Sequence, residues 1–278
     1  MREFRKKQRT LKKWMTGLIV TAAVLIFVYI GIEPYLRQYI GAAATTVCSI
    51  LCNLFALAAM VVLFLYYSKY SKSDYFLQSI EDELCDASYY LTARPEKTAE
   101  EYCRAVSRDL AENRFTLENQ VEVDGFTFDF KARHGKDFIY CVCADDLERS
   151  DMLAFADCVL HDITVLNLRR NGNIVLFYIT DKAREDALAL SKMTTAYGKK
   201  QQIRFNNAIV ELSTGRCYFL GNRETRNQAN IANYVMNCEL PLKKKFIGQE
   251  RLPFQDALEE RMKDFDLKKY LNGEFYAH

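Results

Sequence analysis

Two short stretches of this 278-residue chain carry side chains that could hold a metal or move a proton. In the first, Glu122 and Asp129 offer carboxylates to a hard divalent cation such as magnesium or manganese, and Lys131 adds an ammonium two residues beyond Asp129. Residues two apart on an extended strand share a face, so Asp129 and Lys131 are expected together, with Phe128 and Phe130 entering the core on the opposite face. Glu122, Asp129 and Lys131 are then candidate catalytic residues and Asp129 a candidate metal ligand. The plainer role of all three is the polar side of an alternating strand. The second stretch is Cys141-Val142-Cys143, where the same spacing turns two soft thiols to one face, as a zinc site requires. No close cysteine or Cys/His pair accompanies them, and the histidines are His134, His161 and His278, so they are expected to be core cysteines. A phosphate-cradling glycine loop, a serine nucleophile elbow, an HExxH pair and paired CxxC motifs are all missing.

The elements that must position these residues follow from periodicity. Thr98 followed by Glu100 and Glu101 reads as a capped helix start, and Tyr102, Ala105, Val106 and Leu110 give the helix 99–113 one apolar face. Three strands are expected next, over 115–123, 126–131 and 138–144, with turns at Asp124-Gly125 and His134-Gly135. A helix over 147–162, a short strand over 163–168, a buried strand over 173–179 and a helix over 182–197 follow. Strands over 203–212 and 216–220 pair through Ser213-Thr214-Gly215. This alternation specifies an α/β domain, 99–222, built as a mixed sheet flanked by helices. A tail, 223–278, includes a helix ending near Met236 and an amphipathic helix from Phe254 to Leu271.

Ahead of this domain lie two apolar runs. Trp14 to Ile32 has no charge across nineteen residues and Ile40 to Tyr67 none across twenty-eight, and about twenty suffice to cross a bilayer as a helix. The segment 33–39 between them is short enough for a tight turn in which Pro34 ends the first helix. The run 14–67 thus reads as a two-helix transmembrane hairpin. A basic arm, 1–13, precedes it, and a juxtamembrane helix and linker, 68–98, follow it. Gly41, Thr45, Ser49, Asn53 and Ala56 form a small-residue stripe suited to packing on the first span or on a second copy of the hairpin.

Seven basic residues against the acid Glu3 leave the arm at +6, so the rest of the chain carries −4 of the net +2. Basic residues stay on the cytoplasmic side, and both termini are expected there, in the plasma membrane of a prokaryote. A mildly acidic domain is a poor general binder of nucleic acid, and a span without ionisable residues disfavours transport. The expected partners are the lipid bilayer, a further copy of the hairpin and a protein met by the domain or its tail. Structural disulfides are not expected from the nine cysteines in a reducing compartment.

The stretch 99–222 resembles the restriction-endonuclease-like superfamily, in particular its Mrr-type branch. The resemblance rests on the order helix, three strands, helix, strand and on the run from Asp124 through Asp129 to Cys143. It implies a metal-binding aspartate at Asp129 on the second strand and a Glu or Gln, one spacer and Lys on the third. Cys141-Val142-Cys143 stands in that last place, and thiols neither favour magnesium nor supply the lysine's charge. The expectation is therefore a membrane-anchored cytoplasmic interaction module with an inactive nuclease-like domain and no cofactor. The alternative is a membrane-tethered nuclease dependent on magnesium or manganese, its site migrated to Glu122, Asp129 and Lys131.

Overall fold

The computed structural model describes residues 1–198, 200, 202–266, 268 and 269; Leu271, the expected end of the tail helix, and His278 lie outside them. Two compact units result, one of residues Met1–Ser79 with the chain from Glu260 on, the other of Ile80–Glu259.

The first unit holds helix α1, Arg2–Ile40, and all but the end of helix α2, Ala42–Cys85. Pro34 lies inside α1 and does not end it; the turn is made at Gly41, whose φ of 82° suits glycine. Proline deletes one N–H bond from a helix, which a long apolar helix tolerates, whereas a left-handed residue redirects the chain. The two helices run back along each other: Tyr29 OH donates to Thr45 O at 3.0 Å near the turn, and Arg5 meets Asp74 at 2.5 Å and Gln78 at 3.1 Å at the far end. The buried face of α2 runs from Thr45 to Ala59 and Tyr66, past half-buried Ser49 and Ala56, while Asn53 is exposed and falls off the stripe. At 3.6 residues per turn a four-residue repeat drifts around the helix, which carries Asn53 away from α1.

The second unit is a mixed sheet flanked by helices. Its strands are β1 (Tyr89–Tyr90), β2 (Thr116–Val123), β3 (Phe126–His134), β4 (Asp137–Leu147), β5 (Gly172–Ala183), β6 (Thr194–Tyr197), β7 (Ile203–Glu211) and β8 (Arg216–Tyr218). Their order is β1-β8-β7-β5-β4-β3-β2, with β6 pairing β7 off this path. β4, β5 and β7 are mutually parallel neighbours and the other pairings are antiparallel. Helices α4 (Arg149–His161) and α5 (Glu185–Ser191) cover one face. Helices α3 (Ala99–Glu112) and α6 (Arg226–Asn230), the latter continued by a π-helical turn at Ile231–Val235, accompany the other. Helix α7, Pro253–Arg261, closes the described order, so the tail helix expected from Phe254 to Leu271 is broken after Arg261 by turns at 262–264. The central strand β5 shows why its apolar run is continuous: Ile174, Leu176 and Tyr178 enter one core layer, and Val175, Phe177 and Ile179 the other.

Three expectations need correction. The segment 163–168 is not a strand, because Asp162–Leu166 forms a π-helical turn that extends α4. Buried Asp162 anchors it, accepting from Tyr140 OH at 2.5 Å and from Asn167 Nδ2 at 3.0 Å. The helix expected to reach 197 stops at Ser191, after which the β-branched Thr194 and Thr195 pair with Asn206 and Phe205 of β7. The juxtamembrane helix stops at Cys85 rather than reaching Leu91, and Tyr89 and Tyr90 become an edge strand against β8.

Candidate functional site

Phe128 and Phe130 are both buried but belong to different core layers, Phe128 to the one under α4 and Phe130 to the one under α3. Simple alternation would have placed them together. The pairing is interrupted between them: neither the β2–β3 register nor the β3–β4 register includes Asp129, and Gln120, opposite it, has a φ of 50°. Such a local break rotates one residue to the other face.

The consequence is a separation of the expected site residues. Asp129 Oδ2 accepts from the Cys143 amide at 2.7 Å, toward the layer that contains Cys141 and packs Cys143. Lys131 is buried on the opposite side, its Nζ 2.6 Å from Asp162 Oδ2 and 5.8 Å from the centre of the Tyr140 ring. Asp162 accepts from Lys131 and Tyr140 together, so the ammonium is already neutralised and hydrogen-bonded. Glu122 is exposed on β2, which is the last strand in the sheet order, paired with Thr127. Val121 and Val123, on either side of it, pack on the α4 layer, so Glu122 projects to Asp129's side of the sheet.

What gathers around Asp129 is sulfur. Cys141 and Cys143 of β4 point to one face, as their spacing requires, and the first turns of α3 bring Cys103 onto them. Thr98 fixes where that helix begins, its Oγ1 accepting from Glu101 N at 3.2 Å. Tyr102, Val106 and Leu110 then bury the helix face beside Cys103. Cys141 Sγ lies 3.9 Å from Cys103 Sγ, and the three sulfurs all lie within 4.8 Å of one another. Hydrogen bonds from Cys141 and Cys143 hold the Cys103 thiol well below its ordinary value, while burial raises that of Cys141. Burial also raises the carboxyl of Asp129, against the hydrogen bond from Cys143 N. Such a site suits a soft cation or thiol chemistry and suits magnesium poorly.

A second polar centre lies where the last turn of α2 enters the sheet unit. Buried Asp86 accepts from Gly221 N at 2.9 Å and faces Lys192 Nζ at 3.3 Å, and that ammonium also donates to Phe219 O at 2.7 Å. Burial pushes the Asp86 carboxyl up and the Lys192 ammonium down, each opposed by the charge of the other. Gln255 Nε2 donates to Glu83 O at 2.9 Å and to Asp86 O at 2.7 Å, satisfying carbonyls that the end of α2 leaves open. A cleft of about 570 Å³ adjoins them, lined by Tyr89, Arg223, Leu242 and Gln255 among others. Gly221 closes one wall, since a Cβ there would meet the Tyr89 ring at 2.5 Å.

Sequence reasoning missed Cys103, Asp162 and the Asp86–Lys192 pair. Cys103 carried a faint signal, a thiol next to the buried Tyr102 on the helix just before the β2–β4 strands, but nothing local told which strand it would face. No protein-family model, curated protein or solved structure matches the chain.

Proposed function

We propose that the protein is a membrane-anchored interaction module in which α1 and α2 cross the bilayer as a hairpin and hold the sheet unit at the cytoplasmic surface. One observation carries the reading. The apolar windows of the two helices are only 11% and 6% buried, and Leu25, Phe27, Leu57, Met60 and Phe64 all point outward. Aqueous helices bury such faces, whereas a hydrocarbon phase solvates them. The basic residues of 1–13 favour a cytoplasmic location for both ends.

The sheet unit on this reading is a nuclease-like scaffold without catalysis. Supporting it are the element order α3-β2-β3-β4-α4-β5, the thiols at 141 and 143, and the engagement of Lys131 with Asp162 across the sheet from Asp129. The cleft beside Asp86 is then the natural place for a partner to engage.

The test is a cleavage assay of the purified full chain on DNA and RNA with magnesium and with manganese, alongside Asp129→Ala. No cleavage is expected from either protein. Ion-dependent cleavage by the wild type that vanishes in Asp129→Ala would replace this reading with the migrated nuclease site of Glu122, Asp129 and Lys131.

A further inference from the structure

We propose that Cys103, Cys141 and Cys143 form a zinc site that ties helix α3 to strand β4. The inference does not depend on whether α1 and α2 cross a membrane.

The geometry comes first. Zinc thiolate bonds of about 2.3 Å in a tetrahedron set the sulfurs about 3.8 Å apart. The Cys103 and Cys141 sulfurs stand 3.9 Å apart, and all three fall within 4.8 Å of one another. The three are therefore close enough to supply one face of a ligand tetrahedron. A disulfide needs sulfurs about 2.05 Å apart and would use two thiols, leaving the third without a role.

The chemistry points the same way. Three thiolates form a soft donor set, which selects zinc over magnesium, calcium or manganese. Binding leaves three Zn–S bonds and releases to solvent the proton of each ligand that was still a thiol. Cys141 is fully buried, while Cys103 and Cys143 are half-buried, so the site has a solvated side from which the ion can enter. That side leaves the fourth position to water or to a group from a partner. Asp129 completes the surroundings: by accepting the Cys143 amide at 2.7 Å it fixes the strand where the ligand projects. Its rotation out of the β3 alternation thus gains a purpose, since regular pairing would point it to the far layer.

The experiment uses the full chain purified in detergent without chelator. Metal analysis should find one equivalent of zinc, and cobalt substitution should give tetrahedral bands together with intense sulfur-to-cobalt charge transfer. Cys103→Ser and Cys143→Ser should each lose the zinc, while Cys85→Ser, an exposed thiol outside the cluster, should keep it. Asp129→Ala, which removes the acceptor for the Cys143 amide, should weaken zinc binding by about 10–100-fold without removing it. Chelation of the wild type should lower its thermal midpoint, restored by zinc and not by magnesium. Should the serine variants fail to fold, the wild-type cobalt spectrum still decides. Absence of thiolate charge transfer, charge transfer unchanged in Cys103→Ser, or a Cys103–Cys141 disulfide in freshly isolated metal-free protein would each overturn the proposal.

Discussion

Strand β5 and helix α2 contain similar residues and treat them in opposite ways. Ile174 to Ile179 are all at 0% exposure, divided between two core layers, whereas Val61, Phe64 and Leu65 in α2 stand at 49%, 72% and 59%. An uncharged apolar run in the sheet unit is explained by the protein around it. Among the described residues, the same kind of run in the helices is left mostly exposed. Contiguous exposed apolar surface of that extent marks a site met by lipid or by another protein. The sheet unit supplies its own interior; the helical unit requires one from outside.

The largest expected effect strikes the sheet unit alone. Tyr102, Tyr140, Tyr178 and Tyr218 are buried there, and burial raises each hydroxyl above the ordinary 10, Tyr218 to about 12. Each also donates a hydrogen bond, Tyr102 to Val235 O and Tyr178 to Met152 O among them. A pKa raised in the folded state means stability that is complete below pH 10 and lost as pH rises past it. Titration above pH 10 should therefore unfold the sheet cooperatively, with tyrosinate absorbance and loss of strand circular dichroism moving together. Ionisation of these tyrosines with the sheet intact would break the contrast between a closed core and an open one.

Much of the sheet unit was legible because its elements follow period. The cap at Thr98 and the apolar positions 102, 106 and 110 marked α3, and the unbroken run at 174–179 marked a strand buried on both faces. What escaped was set by distant partners. The alanine- and leucine-rich segment after 182 reads as a long helix, but Lys192 leaves it to meet Asp86, 106 positions away. Likewise the run Phe128-Asp129-Phe130 reads as plain alternation, and only its pairing with β2 and β4 shows the break. The cysteine cluster was half visible: the 141–143 spacing gave the shared face, while the third thiol came from a helix whose docking no local pattern encodes.

A charge placed in the middle of α2 sharpens the comparison next. Leu57 is 53% exposed and sits near the centre of the candidate span Ala42–Ser71. Within hydrocarbon, Leu57→Arg costs about 3–4 kcal/mol of insertion free energy. The variant should shift from the carbonate-resistant membrane fraction toward aggregated or degraded protein. Undiminished membrane recovery with unchanged expression would place α2 in water or in a protein interface instead.

The smallest effect is expected from the same substitution in the other unit. Leu153 lies on α4 at 46% exposure, close to the value for Leu57, and neither leucine belongs to the buried core. Leucine and arginine have nearly equal helix propensities, so the exchange is not confounded by the helix itself. An exposed position in water tolerates such a change within about 0.5 kcal/mol. Leu153→Arg should thus leave membrane recovery and the thermal midpoint of the sheet unit unmoved. If both arginine variants behave alike, whether both harmless or both damaging, exposure means the same thing in the two units and the lipid-facing assignment of α2 fails. A harmful Leu57→Arg beside a silent Leu153→Arg isolates the solvent around the helix as the cause, since residue type, helical setting and exposure are matched.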